Sequence, residues 1–305
     1  MYNLRKECIL MIYSCIDIGG TSIKFGLVDE TGRFHKKGSL PTEAATGGGP
    51  GIVHKVRSLI QRQLADHPLV GIGISTAGII DTERGAVDYA LSIPDYTGTA
   101  WKSLLENEFQ LPCIVENDTN CAALGEWWLG AGRDMDSLFA VTVGTSIGGA
   151  FIEKGHILHG ACRSAGEIAY MRVPAGRLHD VASATYLCWE MACKKAADPE
   201  KVDGRTCFAW VRQGDATAAA VLDTFCQNLA DGLANIACLC NPDGIVLGGG
   251  IMAQEDILRP KLEAALAARL PAMMLPPKGL AFAKRQNDAG MLGALYLLLH
   301  RNGSY

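Results

Sequence analysis

Gly20-Thr21-Ser22-Ile23 stands between two strand-like runs, 12–17 and 25–28, and the same four residues return as Gly144-Thr145-Ser146-Ile147 between the runs 138–143 and 149–153. A strand, a tight Gly-Thr turn and a second strand aim backbone N–H groups and a hydroxyl at one point, an arrangement suited to an anion. Two such turns on two similar halves can hold a polyphosphate between them. Two unrelated hairpins sharing four common residues are the plainer alternative.

A chain of 305 residues is too long for one ordinary core and suits two domains. Half the residues are apolar and a fifth charged, an ordinary globular composition. A net charge of −4 gives no electrostatic reason to expect nucleic acid or an anionic membrane as partner. The eleven cysteines include no Cys-x-x-Cys pair, and Cys113, Cys121, Cys188 and Cys226 lie in apolar stretches. They read as reduced thiols packed like small hydrophobes, which implies a cytoplasmic protein. Residues 1–11 lack the long h-region of a signal peptide and read as a disordered leader. No apolar run reaches the length of a membrane span.

Along the first half the pattern is three strands (12–17, 25–28, 33–40), a Gly-rich loop at 47–51, a helix with Ile52, Val56, Leu59, Ile60 and Leu64 on one face, and a buried strand at 69–75. A short helix at 101–109 and a strand at 113–116 follow. The second half begins alike with strands 138–143 and 149–153. It continues with helices near 183–197, 203–213 and 215–239, strand 244–247, helix 256–269, strand 280–284 and a last helix after Gly290. Three meandering strands followed by alternating helix and strand, twice over, match the plan of a two-lobed actin-like, hexokinase-type ATPase, an α/β fold of duplicated ribonuclease H-like domains. The expected smaller lobe is 12–117, joined by the C-terminal helix 289–305, and the larger lobe is 118–288. Nucleotide is expected in the cleft between them.

Four places carry candidate chemistry. In Asp17-Ile18-Gly19-Gly20-Thr21 the carboxylate ends a strand, at the sheet edge, where it can hold Mg²⁺ through water while the glycines let N–H groups approach phosphate. Lys24 can balance phosphate charge or be a solvated strand lysine. In Glu116-Asn117-Asp118, at a strand-to-helix junction, an aspartate is most often an N-cap. Asn117 can cap instead, leaving Asp118 free to accept a proton from a hydroxyl. Gly166-Glu167 with Tyr170 can bind sugar hydroxyls or be a plain turn. Gly248-Gly249-Gly250, after a buried strand, leaves bare backbone on which a flat base can lie, or is a connector. The order and context of these glycines do not match a dinucleotide-binding fingerprint.

Taken in order, Asp17-Ile-Gly-Gly-Thr21, Glu116-Asn-Asp118, Gly144-Thr-Ser-Ile-Gly-Gly149, Gly166-Glu167, Leu247-Gly-Gly-Gly-Ile251, Asp288-Ala-Gly290 and Leu292-Gly-Ala294 resemble the ROK family (repressors, open reading frames and kinases) over more than 90% of the chain. The resemblance implies ATP with Mg²⁺ and transfer to a sugar hydroxyl. It implies Asp118 as catalytic base and Asn117, Glu167, Tyr170, Gly78 and His179 on the sugar side. Asp17, Gly19, Gly20, Thr21, Lys24, Gly144 and Thr145 match phosphate-side positions, with Gly248 and Gly249 at the nucleoside and Asp17 at the metal. Family kinases are often dimers, so a homodimer is an open expectation.

Two departures shape the substrate reading. Ala169-Tyr170 replaces the Gly-His pair of the family's glucokinases, and 172–180 has no cysteine where their zinc loop lies, so no zinc site is expected. His179 falls near a second sugar-binding glutamate. The Gly-Glu-x-x-Tyr arrangement resembles the β-glucoside kinases, which implies the 6-hydroxyl of a disaccharide such as cellobiose. Glucokinase and N-acetylmannosamine kinase are the alternatives, and a non-catalytic sugar-binding regulator without a DNA-binding domain is the alternative of another class. A DNA-binding repressor is not expected, because only sixteen residues precede Asp17. Trp127 and Trp128 read as packing residues, and His54, His67 and His156 as surface histidines.

Overall fold

The computed structural model describes residues 10–301, so residues 1–9 of the expected leader and 302–305 of the expected last helix lie outside the described residues. The chain divides into two compact units, one of residues 1–125 with 290–305 and the other of 126–289. The division falls after Gly125, within the helix 118–129.

In the first unit, β1 (Ile12–Ile18), β2 (Ser22–Asp29), β3 (Phe34–Pro41), β4 (Leu69–Thr76) and β7 (Cys113–Asn117) form a five-stranded sheet of order β3-β2-β1-β4-β7. β1 pairs antiparallel with β2 and parallel with β4. Being central, β1 is buried on both faces, which is why it reads as a nearly continuous apolar run. β3 is one edge strand, beside β2, and carries the exposed Lys36 and Lys37, charges that discourage edge-to-edge pairing. Helices α1 (Ala44–Asp66) and α2 (Trp101–Phe109) close a core of Ile16, Ile18, Ile52, Ile60, Ile72 and Trp101. α3 (Asp118–Leu129) follows β7, and a short hairpin of β5 (Ile79–Asp81) and β6 (Ala86–Tyr89) follows β4.

The expected loop at 47–51 is instead helical and broken only at Gly48, with φ +52°. The reason is a close approach. The Gly49 N–H donates to the Pro94 carbonyl at 2.8 Å, and a Cβ on Gly49 would stand 2.2 Å from the Asp95 oxygen. These glycines make room for a neighbouring loop, and Pro50 sits in the first turn after the break, where its missing N–H costs nothing.

The second unit repeats the sheet. β8 (Ser137–Val143), β9 (Ile147–Glu153), β10 (His156–Ile157), β13 (Gly244–Gly248) and β14 (Leu280–Phe282) have the order β10-β9-β8-β13-β14, with β8 antiparallel to β9 and parallel to β13. The small hairpin β11 (Arg172–Val173) and β12 (Gly176–Arg177) leads into α4 (Leu178–Ala182). Helices α5 (Ala184–Lys194), α6 (Gly204–Arg212) and α7 (Ala216–Cys240) start where Ser183, Asp203 and Asp215 each accept a backbone N–H as N-cap. The long α7, buried through Leu222, Phe225, Leu229, Leu233 and Ile236, forms the spine of this core. α8 (Glu255–Ala267) packs on it, and α9 (Ala289–Leu299) ends the described chain. Among the described residues no helix is long and apolar enough to cross a membrane.

Candidate functional site

The first Gly-Thr turn joins β1 to β2. Gly19 N–H donates to the Ser22 carbonyl at 3.0 Å, and Thr42, just past β3, donates its hydroxyl to the Gly19 carbonyl at 2.7 Å and its N–H to that of Thr21 at 2.9 Å. Gly20 and Thr21 remain exposed. Asp17 stands at the carboxyl end of the central strand, not at the sheet edge expected from the sequence, because β4 pairs on its other side. One carboxylate oxygen accepts the Ser75 hydroxyl at 2.7 Å, and the other lies 3.4 Å from the Lys24 ammonium. Lys24 is therefore Asp17's partner and not a free surface charge. The first turn of α9 presses on the same group: a Cβ on Gly290 would fall 2.8 Å from Asp17 Oδ1. Glycine there lets the helix N-terminus reach a carboxylate.

At the end of β7 the backbone turns into α3 through a dense set of local bonds. Asn117 Oδ1 accepts from the Thr119 and Asn120 N–H groups at 2.9 and 3.1 Å, so Asn117 does act as cap. Asp118 is not thereby released, because its Oδ1 also accepts from Thr119 N–H at 2.8 Å. Asn117 Nδ2 donates to the Gly78 carbonyl at 2.9 Å, which fixes the start of the β5–β6 hairpin against the junction. The buried Glu116 accepts from Asn117 N–H at 2.7 Å and Asn120 Nδ2 at 3.0 Å. Beneath lies a polar trio that sequence reading missed. The Tyr96 hydroxyl accepts from Trp101 Nε1 at 2.9 Å and pairs with the Thr76 hydroxyl at 2.6 Å. Burial, chiefly, and the nearby Asp118 charge push the Tyr96 phenol well up, so it stays a neutral hydrogen-bonding post.

The second unit carries the matching turn. Gly144 N–H donates to the Ser146 carbonyl at 2.9 Å, Ala184 N–H at the start of α5 donates to the Gly144 carbonyl at 2.9 Å, and Thr185 donates its hydroxyl to the Thr145 carbonyl at 3.0 Å. A threonine hydroxyl and a backbone N–H brace this turn, as Thr42 braces the first. Ser146 also meets His179 Nδ1 at 3.0 Å, which puts His179 on the turn.

Two of the sequence motifs prove to be a single contact. Gly166, with φ +91°, lies so close to β9 that a Cβ would stand 2.1 Å from the Gly149 carbonyl, which fastens the Glu167 loop to that strand. Glu167 precedes the short 3₁₀ turn Ile168–Tyr170, and desolvation holds its carboxyl above the usual range although the residue reaches solvent. Tyr170 is 65% exposed. Gly248 pairs with Thr142 at the end of β13, and Gly249 backs directly onto the Val143 carbonyl. Beside them the second unit has a cleft of about 470 Å³ lined by Thr145, Thr185, Cys188, Trp189, Gly204 and Ile251. The cleft was not legible beforehand, since α5, α6 and the loop after β13 meet only in the fold.

Among the described residues no group of three or more His, Cys, Asp or Glu is placed to hold a metal ion. A Mg²⁺ ion bound with phosphates needs less: one hard oxygen ligand beside them suffices, since the ion keeps several waters. Asp17, a partly exposed carboxylate next to the Gly19–Thr21 turn, fits that need.

Residues 13–301 match the family model described as the ROK family. A glucokinase of Halalkalibacterium halodurans is 32% identical over 96% of this chain and 96% of its own length. A beta-glucoside kinase of Listeria monocytogenes is 30% identical over 97% of this chain and 100% of its own. Among solved structures, a ROK family glucokinase from Streptomyces griseus, in complex with glucose and AMPPNP, has a TM-score of 0.79 at 27% identity and covers 94% of this chain and 98% of that one. The mixed α/β fold is the actin-like, hexokinase-type fold of such kinases. The chain belongs to the ROK family, as one of its sugar kinases.

Proposed function

We propose that the chain transfers the γ-phosphate of ATP to the 6-hydroxyl of a hexose, with Asp118 accepting the hydroxyl proton. The observation that carries this reading is the pair of exposed Gly-Thr turns, each held open by a threonine hydroxyl and a backbone N–H from outside the turn. Pre-set N–H groups and hydroxyls stabilise charge on a transferring phosphoryl group without reorganising, which is where most catalysis of this reaction resides.

In this reading Gly19, Gly20 and Thr21 meet the transferring end of the polyphosphate, and Gly144 and Thr145 meet the rest. The cleft by Gly248 and Gly249 takes the nucleoside. Asp17 would hold Mg²⁺ through water, where the ion would neutralise phosphate charge, and Lys24 keeps that carboxylate in place. Asp118, the first residue of α3, takes the proton as the hydroxyl oxygen attacks. Asn117, Gly78 and Glu167 orient the sugar. The ten described cysteines are all free thiols, which supports a cytoplasmic setting.

A β-glucoside such as cellobiose is the favoured acceptor. Tyr170, largely exposed, follows Glu167 and offers an apolar face to a second ring. Likeness to a glucokinase and a beta-glucoside kinase at 32% and 30% identity leaves free glucose as the competing acceptor. The deciding experiment is ADP release with glucose, cellobiose and N-acetylmannosamine, each at saturating ATP and Mg²⁺. The reading expects kcat/KM for cellobiose to lead by about tenfold or more. Preference for glucose would make the chain a glucokinase, and silence on all three would make it a sugar-binding regulator.

A further inference from the structure

Two apolar side chains of the first unit stand out in water, two positions apart. Leu91 is 76% exposed and Tyr89 50%, more than any other large apolar side chain described in that unit. A lone exposed leucine is ordinary on a protein surface, but this pair adjoins the Asn117–Asp118 junction. Tyr89 ends β6 and pairs with Ile79 across the hairpin. A Cβ on Gly78 would stand 2.7 Å from the Tyr89 carbonyl oxygen and 3.2 Å from Ala90 Cβ. The Gly78 carbonyl in turn accepts Asn117 Nδ2 at 2.9 Å. The backbone between Tyr89 and Leu91 therefore lies against the same glycine that Asn117 holds.

The segment is also pinned from the loop that follows it. Ala90 N–H donates to the Thr97 hydroxyl oxygen at 3.1 Å, Gly98 N–H to the Val87 carbonyl at 2.7 Å, and Val87 N–H to the Thr99 carbonyl at 3.0 Å. A backbone fixed in this way presents its exposed side chains in place, so a ligand that covers them loses little to ordering. Tyrosine suits the purpose, being large and rigid with only two rotatable bonds.

The chemistry of the pair selects its occupant. A hexose with its 6-hydroxyl at Asp118 meets polar groups at Asn117 and Gly78, whereas a ring face and a leucine offer chiefly apolar contact. The flat C–H face of a pyranose, or an aryl ring, matches that surface. We propose that Tyr89 and Leu91 form the platform for the group linked glycosidically to the phosphorylated hexose, a second sugar ring or an aryl ring, and so set the preference for glycosides over the free sugar. The platform rests on the reading of Asn117 and Asp118 as the acceptor side.

The test is calorimetric binding of glucose and of phenyl β-glucoside to the whole protein, with light scattering on the same samples. The parent should bind the phenyl glucoside about tenfold more tightly than glucose. Tyr89→Ala should cut that ratio to about threefold or less, Leu91→Ala should lower it in part, and Tyr89→Phe should keep it. Both side chains are exposed, so the variants should melt with the parent. A parent with no preference overturns the proposal, as does a Tyr89→Ala protein that keeps the parent's ratio. Loss of the preference in Tyr89→Phe overturns it too, since the phenol hydroxyl rather than the ring would then be responsible. A changed oligomeric state with an unchanged ratio makes the patch a contact between copies of this chain and overturns it likewise. A parent that shows the preference but releases no ADP with any sugar keeps the platform and loses the kinase reading. One that phosphorylates glucose and binds both ligands equally keeps the kinase reading and loses the platform.

Discussion

Glu126→Gln tests a heavily bonded buried carboxylate. Glu126 is 3% exposed and accepts four backbone N–H groups. Oε1 takes Arg285 at 2.5 Å and Gln286 at 3.2 Å, while Oε2 takes Ala131 at 2.8 Å and Lys284 at 3.0 Å. A glutamine keeps one acceptor oxygen and aims an NH₂ at the other two donors. Whichever way it turns, two buried N–H groups lose their partner and face another donor. At about 1.5–3 kcal/mol for each hydrogen bond to a charged group, two losses come to about 3–6 kcal/mol. That is a large part of an ordinary domain's stability of about 5–15 kcal/mol. The assay is urea unfolding followed by tryptophan fluorescence, since Trp127 and Trp128 adjoin the site on α3. The midpoint should fall sharply, and the thermal midpoint by about 10 °C or more. A Glu126→Gln protein within about 1 kcal/mol of the parent would refute the reasoning, because the four bonds would then contribute no more than water does.

Asp118→Asn should lower kcat by about 10²–10⁴ while sugar binding stays measurable by calorimetry, and turnover within about tenfold of the parent would remove Asp118 from the role of base. Gly20→Val meets no atom within 4 Å of the new Cβ, so the melting temperature should hold while the KM for ATP rises about tenfold or more; an unchanged KM would sink the phosphate assignment of the first turn. Asp29→Asn addresses pH. Burial alone would raise the Asp29 carboxyl, but hydrogen bonds from Thr31, His35 and Arg33 outweigh it and hold it at about 2, below the ordinary 3.8. A depressed value means stabilisation that is present above pH ~4 and lost as pH falls toward ~2. The variant should therefore be less stable by about 2 kcal/mol at neutral pH and converge on the parent near pH 2. Equal stability of the two at pH 7 would contradict it.

The repeated tetrapeptide and the apolar runs on either side made both sheets legible, because a strand buried on both faces leaves an unbroken apolar stretch and a tight turn needs glycine. Caps at Ser183, Asp203 and Asp215 likewise set three helix starts within a residue or so of expectation. What stayed hidden depends on contacts between distant segments. The helical character of 47–51 follows from a loop forty-odd residues on, and three of Glu126's four donors come from 284–286. Tyr96 could be recognised as a buried hydrogen-bonding post only after Thr76 and Trp101 were seen beside it. At the site itself, residue types were readable and partnerships were not. Asp17 was visible as an acid, but its place on a central strand, between Ser75 and Lys24, was not.

Both turns leave the middle strand of a five-stranded sheet, β1 in one unit and β8 in the other. Amides of such strands are the last to exchange with solvent, because they are released only when the surrounding unit opens as a whole. The two Gly-Thr turns are thus anchored at their roots in the slowest-exchanging backbone of each sheet, while Thr42 and Thr185 reach them from outside those strands, Thr42 buried and Thr185 at an exposed helix start. Deuterium uptake should therefore be slow through Ile16 and Val141 and faster at Thr185, exposed in the first turn of α5. Nucleotide would then register chiefly as slower exchange at that brace, leaving the strands beneath unchanged.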